Sequence, residues 1–189
     1  FLKKNGYVFG IDNLSRGTDD NLSRVNGHSK FRIAYADLND IPLCQNILKE
    51  FNSVEPITEI WHMAANSDIP AGVQDATIDL NDTFLSTFNV LQLMKEFNIK
   101  VLSFASSSAI YGDLGDTKLT ESSGPLFPIS NYGAMKLASE AAISAAVESF
   151  LEKAFIFRFP NVVGTPATHG VILDFINKLK VSKNNLSVL

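Results

Sequence analysis

Five short apolar runs, separated by longer amphipathic or polar stretches, constrain the fold of this 189-residue chain more than any other feature. They are Tyr7–Ile11, Phe31–Ala36, Glu59–Ala65, Val101–Ala105 and Ala154–Phe159. Their apolar residues are continuous rather than alternating, as in strands buried on both faces. Between them the pattern predicts helices. One is opened by Pro42 and reaches Phe51, with Ile47, Leu48 and Phe51 on one face. A long one spans 75–97, and an alanine-rich one spans 131–152 with Leu137, Ala141, Ser144, Ala145 and Glu148 spaced at three and four. A last one, 170–180, carries Val171, Phe175 and Leu179 along a stripe. Strand and helix in alternation predict an α/β fold, a doubly wound parallel sheet with helices on both faces. Ligands of such sheets bind where strands give way to loops.

The first residues, Phe1 to Gly6, read as the end of a helix, with lysines in the last turn and a glycine stop. Asn185 to Leu189 read as the start of a strand. Both ends predict that the chain is an internal piece of a longer protein. The segment from Tyr111 to Ser130 reads as a long surface loop, and loops of that length in compact domains tend to be functional.

Composition narrows the class. With 46% hydrophobic and 19% charged residues the chain is built to bury a core, which argues against disorder. A net charge of -4 without any block of like charges argues against nucleic-acid or anionic-membrane partners. No apolar run approaches the roughly 18 residues of a membrane span. The single cysteine, Cys44, has no partner for an internal disulfide, and no metal-ligating set stands out. The expectation is a soluble, cytoplasmic protein.

Polar residues at strand ends carry the chemistry. Asp12 closes the first run, where a carboxylate can accept hydrogen bonds from a ribose diol and would repel a 2′-phosphate, although Arg16 is nearby. Asp37 closes the second. As a turn residue, Asp12 also has a plain structural reading. Ala64 and Ala65 follow the third, small enough for a flat ligand to approach the backbone. His62 beside them is expected to be a satisfied core histidine. Ser106, Ser107 and Ser108 end the fourth run. Tyr132 and Lys136, four apart at a helix start, project from one face. An ammonium beside a phenol favours its ionised form, which suits proton transfer with a substrate hydroxyl that a serine also holds.

These motifs resemble the extended short-chain dehydrogenase/reductases, in particular the NAD-dependent sugar-nucleotide epimerase/dehydratase group. The resemblance rests on Ile11 to Leu14, Ala36-Asp37-Leu38, His62 to Ala65, Ser106 to Gly112, Tyr132 to Lys136 and Arg158 to Gly164. It implies a Rossmann-like sheet lacking its first strand. It also implies a partial NAD-binding domain over 1–165 and the beginning of a substrate domain over 166–189. The implied catalytic set is Ser108, Tyr132 and Lys136. The implied NAD-binding residues are Asp12, Asn13, Asp37, Leu38, Met63, Ala64, Ala65, Ser106, Ser107, Tyr132, Lys136 and Phe159. Ser108 and Asn161 would touch the nucleotide sugar. His169 would stand near the substrate loop, and reads as a loop or helix-start residue.

The departures from the pattern are informative. The glycine-rich phosphate loop expected before Asp12 is absent, and the family's asparagine-x-x-glycine-threonine reads Thr83-Phe84-Leu85-Ser86-Thr87. Related 4,6-dehydratases carry an Asp-Glu pair after the strand serine or threonine. Here Ala109 and Ile110 stand in those places and can move no proton. The resemblance therefore implies an epimerase of UDP-glucose type, with NAD as cofactor, a transient 4-keto sugar and a homodimer formed through the two long helices. The alternatives are a dehydratase, reductase or decarboxylase on the same scaffold, or a non-catalytic dinucleotide-binding protein.

Overall fold

In the computed structural model the described residues are 2, 6–164 and 170–182. The expected helix end over 1–6 therefore falls largely outside them, and the expected strand at 185–189, His169 and the domain boundary after 165 fall wholly outside. The chain divides into two compact units, Phe1–Arg158 and Phe159–Leu189.

The first unit follows the alternation in the sequence. β1 (Val8–Asp12) pairs in parallel with β2 (Phe31–Tyr35), Val8 opposite Phe31 and Asp12 opposite Tyr35. β3 (Glu59–His62) pairs in parallel with β4 (Val101–Ser107), from Glu59 opposite Val101 to His62 opposite Phe104. β5 (Lys153–Phe159) lies on the other side of β4, and the amides of Glu152 and Lys153 donate to the carbonyl of Lys100 where both strands begin. The architecture is α/β and Rossmann-like. The described strands form two separate hydrogen-bonded groups, β2-β1 and β3-β4-β5, each in the order expected of one side of a doubly wound sheet.

Local chemistry sets the helices. α1 (Ile41–Val54) begins where Asp40 accepts the Leu43 amide and Pro42 occupies its first turn, and it buries Cys44, Ile47, Leu48 and Phe51. The helix expected over 75–97 is present as one continuous helical stretch from Ala76 to Glu96, with a short helix before it. α2 (Ile69–Gln74) starts on an Asp68 cap, and α3 (Ala76–Asp79) starts on an Asp75 cap. A π-helical segment, Leu80–Leu85, then leads into α4 (Ser86–Glu96). Each aspartate accepts a backbone N–H and so restarts the helix.

α5 (Asn131–Ser149) is capped by the Ser130 hydroxyl on the Gly133 amide. Of the residues spaced at three and four along it, Leu137 is half-buried. Ala141, Ser144, Ala145 and Glu148 are exposed, whereas Gly133, Lys136, Ser139, Glu140, Ile143 and Ala146 are buried. The polar members of that face go inside because each finds a hydrogen-bond partner there.

The core has two clusters. Val90, Leu91, Met94, Ile99, Leu102, Phe104, Ile143, Ala146 and Leu151 form one. Ala36, Cys44, Ile47, Leu48, Phe51 and Leu93 form the other, so α4 faces both. In the second unit, α6 (Val171–Val181) follows Gly170, with Lys178 and Lys180 in its last turn. No helix among the described residues is long and apolar enough to cross a membrane.

Candidate functional site

The carboxyl end of β4 runs further than its apolar residues do. Ser106 and Ser107 continue the strand, and Ser108 opens a 3-10 turn, Ser108–Tyr111, capped by the Ser107 hydroxyl on the Ala109 amide. α5 lies against this end. Gly133 is needed at the crossing, because a Cβ there would stand 2.5 Å from the Ala109 carbonyl oxygen. Gly112, at φ 70°, closes the loop that follows, its missing Cβ lying 1.9 Å from the carbonyl oxygen of Phe127.

Of the three serines, Ser107 is the one whose side chain acts on the Tyr132 phenol, drawing it down. Ser108, the serine expected to do so, is turned into the 3-10 segment, and Ser106 points to Glu140. Lys136 is 1% exposed; its Nζ donates to the Ala105 carbonyl at 2.6 Å and lies 5.8 Å from the Tyr132 ring centroid and 4.7 Å from that of Phe104. Tyr132 and Lys136 are thus brought together, but the ammonium bonds to strand backbone instead of the phenol oxygen.

The electrostatics follow from that burial. The Tyr132 phenol is pushed above its ordinary value by desolvation. The Ser107 side chain pulls it partly back, and the Asp79 carboxylate pushes it up again. The lowering expected from Lys136 is not the outcome here, since burial outweighs a cation set beside the ring. Burial likewise lowers Lys136 to about 8. His62, 2% exposed, bonds the Thr87 hydroxyl at 3.0 Å through Nε2 and stacks on Phe104. Desolvation first, and Lys136 second, lower it to about 3, so it is a neutral core residue.

A second group of expected residues gathers at the ends of β1 and β2. Asp12 accepts the Leu14 amide at 2.7 Å through Oδ1, and its Oδ2 lies beside Gly17, 3.3 Å from where a Cβ would stand. Asn13 Nδ2 donates to Asp37 at 3.0 Å, joining the two strand ends. The Asn39 amide and Asn13 hold the Asp37 carboxyl below the usual range. Arg16, the cation near Asp12, pairs at 2.6 Å with Asp68. Asp37, Asn39, Asn81, Asp82, Leu85 and Asn89 line a polar cavity of 520 Å³, in which burial, then Asp37 and Asp79, raise Asp82. Leu38 is half-buried and packs against both core clusters. Met63 and Ala64 are exposed and Ala65 half-buried where β3 ends. Phe159 and Asn161 belong to the second unit.

Some residues of this region escape sequence reasoning. Asp79 is fully buried; Asn66 donates to its Oδ1 at 2.8 Å, and its Oδ2 has no partner among the described residues. Gly72 packs on that oxygen so tightly that a Cβ would stand 1.8 Å away. The Gly72 carbonyl accepts Asn131 Nδ2 at 2.8 Å, which fastens α2 to the first turn of α5. Nothing in the sequence marked this buried carboxylate. Glu140 and Arg158, which meet at 2.8 Å, could have been found, Glu140 by its spacing of four from Lys136.

The sequence profile of the NAD dependent epimerase/dehydratase family matches residues 1–189. The chain belongs to that family. It is 30% identical over 184 residues to a putative UDP-glucose 4-epimerase of Methanocaldococcus jannaschii, a match covering 94% of this chain and 57% of the relative. It is 28% identical over 149 residues to a UDP-glucuronate 4-epimerase of Thermodesulfobacterium geofontis, with 74% and 43% covered. The chain spans about half the length of the curated relatives it matches. Among solved structures it resembles the Thermus thermophilus UDP-glucose 4-epimerase complex with NAD, at a TM-score of 0.82 and 28% identity, covering 94% of this chain and 56% of the other. A dTDP-glucose 4,6-dehydratase from Streptomyces venezuelae with NAD bound superposes equally well, at 0.82 and 26% identity, with 93% and 53% covered. The family is one of NAD-dependent enzymes acting on sugar nucleotides.

Proposed function

We propose that this chain is the greater part of the NAD-binding half of a nucleotide-sugar epimerase of the UDP-glucose 4-epimerase type. The observation that carries the reading is the first turn of α5 seated on the carboxyl end of β4, with the Lys136 ammonium 5.8 Å from the centre of the Tyr132 ring and bonded to the Ala105 carbonyl. A half-buried phenol at such a strand end, with serines beside it, can give a proton to a sugar oxygen and take it back. The Ser107 hydroxyl steadies the same oxygen. Lys136, bonded to the Ala105 carbonyl, keeps a positive charge close as negative charge develops on the phenol. Ser107 takes the serine role that the resemblance placed on Ser108.

The residues present fit NAD. Asp12 and Asp37, linked through Asn13, put carboxylates at neighbouring strand ends, suited to a ribose diol and an adenine edge, and a 2′-phosphate would be repelled there. Arg16, being paired with Asp68, does not offset that repulsion. Bound NAD would supply the hydride acceptor and donor, and the protein the positioning and the proton transfer.

Epimerisation is favoured over elimination because the two residues after Ser107 are Ser108 and Ala109, followed by Ile110, and none carries a carboxyl group. The second reading, a dehydratase, has the likeness to the Streptomyces enzyme in its favour. Product analysis separates the two, since a dehydratase releases water and leaves a stable keto sugar. We place the protein in the cytoplasm as a homodimer, with Phe88 of α4 and Ala141, Ala145 and Val147 of α5 exposed for pairing. Leu91 of α4 is 4% exposed and belongs to the core instead.

The test is Tyr132→Phe in the whole protein, which is expected to lower interconversion of UDP-glucose and UDP-galactose by about 100-fold or more. Turnover like that of the wild type would refute the role of Tyr132.

A further inference from the structure

Tyr132, Lys136 and Glu140 recur every four residues and form one stripe along α5. Two of them bond to the end of β4: Lys136 Nζ donates to the Ala105 carbonyl at 2.6 Å, and the Ser106 hydroxyl donates to Glu140 Oε1. Tyr132 stands at the start of the stripe, its ring centre 5.8 Å from Lys136 Nζ and its neighbour Gly133 packed on the Ala109 carbonyl. The helix is therefore joined to the strand by two polar rungs that lie below Tyr132.

The Glu140 rung is held from its far side. Arg158 on β5 donates from Nε to both Glu140 oxygens, at 3.1 and 3.3 Å, and from Nη2 to Oε2 at 2.8 Å. Its Nη1 reaches the Tyr111 hydroxyl at 3.1 Å and the Glu121 carbonyl at 2.8 Å, with the guanidinium 5.3 Å from the centroid of the Tyr111 ring. One planar cation thus ties α5 to the turn after β4 and to the loop that follows it. As a source of stability such a pair is weak, because desolvation cancels much of its attraction. As a source of geometry it is strong, since a fork on a carboxylate accepts few orientations.

We infer that Glu140 and Arg158 are positioning residues that lock the register of α5 on β4 and so hold Tyr132 at the carboxyl end of that strand. Slippage of α5 by one residue would turn the stripe by about 100° and carry Tyr132 away from the strand end. The inference rests on Tyr132 as the proton-transfer group for its consequence in turnover. Its structural content can be measured without turnover.

The experiment labels the tyrosines of the whole protein with 13C at Cζ, assigns Tyr132 by its loss in Tyr132→Phe, and follows its titration by NMR. In Glu140→Gln the midpoint is expected to move by about half a pH unit or more, upward where the half-buried phenol loses the lowering influence of Ser107. Arg158→Lys, which keeps the charge and loses the fork, is expected to move it in the same direction, and serves if Glu140→Gln does not fold. Leu93→Ala, a core truncation in the cluster around α1, is the control for lost stability and leaves the midpoint in place. In turnover, Glu140→Gln lowers kcat about ten-fold with KM within about two-fold, as misplacement of a reacting group does. An unmoved Tyr132 titration in both variants, or an equal shift in Leu93→Ala, overturns the inference. Wild-type turnover in Tyr132→Phe would instead sink the catalytic reading and leave the NMR result to decide the register.

Discussion

Replacing Lys136 by Met isolates the cost of burying a charge under the candidate site. Burial lowers the lysine to about 8 from an ordinary 10.5, so between those values the unfolded chain binds a proton that the folded chain has released. Stability rises with pH wherever the unfolded state holds more protons, so wild-type stability should climb through this window. Below pH 8 the ammonium is protonated in both states and its desolvation cost is carried in full. A gap of about 2.5 pH units at 1.36 kcal/mol each corresponds to about 3 kcal/mol, most of it recovered by pH 10. Lys136→Met keeps the side chain's length and has nothing to titrate. Chemical unfolding of both proteins at half-unit steps from pH 7 to 10 should give a difference in unfolding free energy that moves by about 2 to 3 kcal/mol in favour of the wild type. Tyr132 does not disturb the comparison, since its own proton leaves above its ordinary value of 10.0. A flat difference would mean that the amine is hydrated and that the stripe of α5 does not lie on β4.

Two further outcomes follow from the packing. Gly72→Ala drives a methyl group into the buried Asp79 carboxyl, 1.8 Å from Oδ2, and should cost about 2 kcal/mol in thermal unfolding, most of which Asp79→Ala restores in the double variant. Additive losses in that pair would refute the contact. The His62 ring, lowered to about 3, should show no protonation by NMR between pH 8 and 5. Because its folded value is depressed, it contributes stability that is lost as pH falls from 6.5 toward 3, and His62→Gln should flatten that acid limb. A ring that titrates near 6.5 would place it outside the core.

Much of the fold was legible because strands buried in a parallel sheet have no solvent face to encode. Val101–Ala105 and Phe31–Ala36 read as continuous apolar runs for that reason, and α1 showed its buried face plainly through Ile47, Leu48 and Phe51. The helix expected over 75–97 was legible too, and runs from Ala76 to Glu96 behind the Asp75 cap. The π-helical segment within it, Leu80–Leu85, was not, since apolar periodicity does not carry a local change of helical pitch. Asp12, Asp37, Tyr132 and Lys136 were findable as polar residues at strand ends and at a helix start. The phase of the serines was not, because three identical side chains in a row offer no local reason to prefer one.

α5 shows why that phase needed three dimensions. The spacing of Leu137, Ala141, Ser144, Ala145 and Glu148 marks a stripe without saying which way it turns, and the strand receives the face carrying Lys136, Ser139 and Glu140. A helix with small or apolar residues all around can turn any side inward, so hydrophobicity leaves its rotation open. Polar partners remove that freedom, because a rotation that buried Lys136 or Glu140 without the Ala105 carbonyl, Ser106 and Arg158 would strand a charge in the core. The stripe 132-136-140 and the strand end 105–107 therefore specify one rotation together. Beta-strand β4 extends to Ser107 for the same reason: its hydroxyls can be buried only where α5 answers them. The residues that fix the rotation of α5 are thus the ones that place Tyr132, so the fold's polar register and the candidate site's geometry are a single feature of the chain.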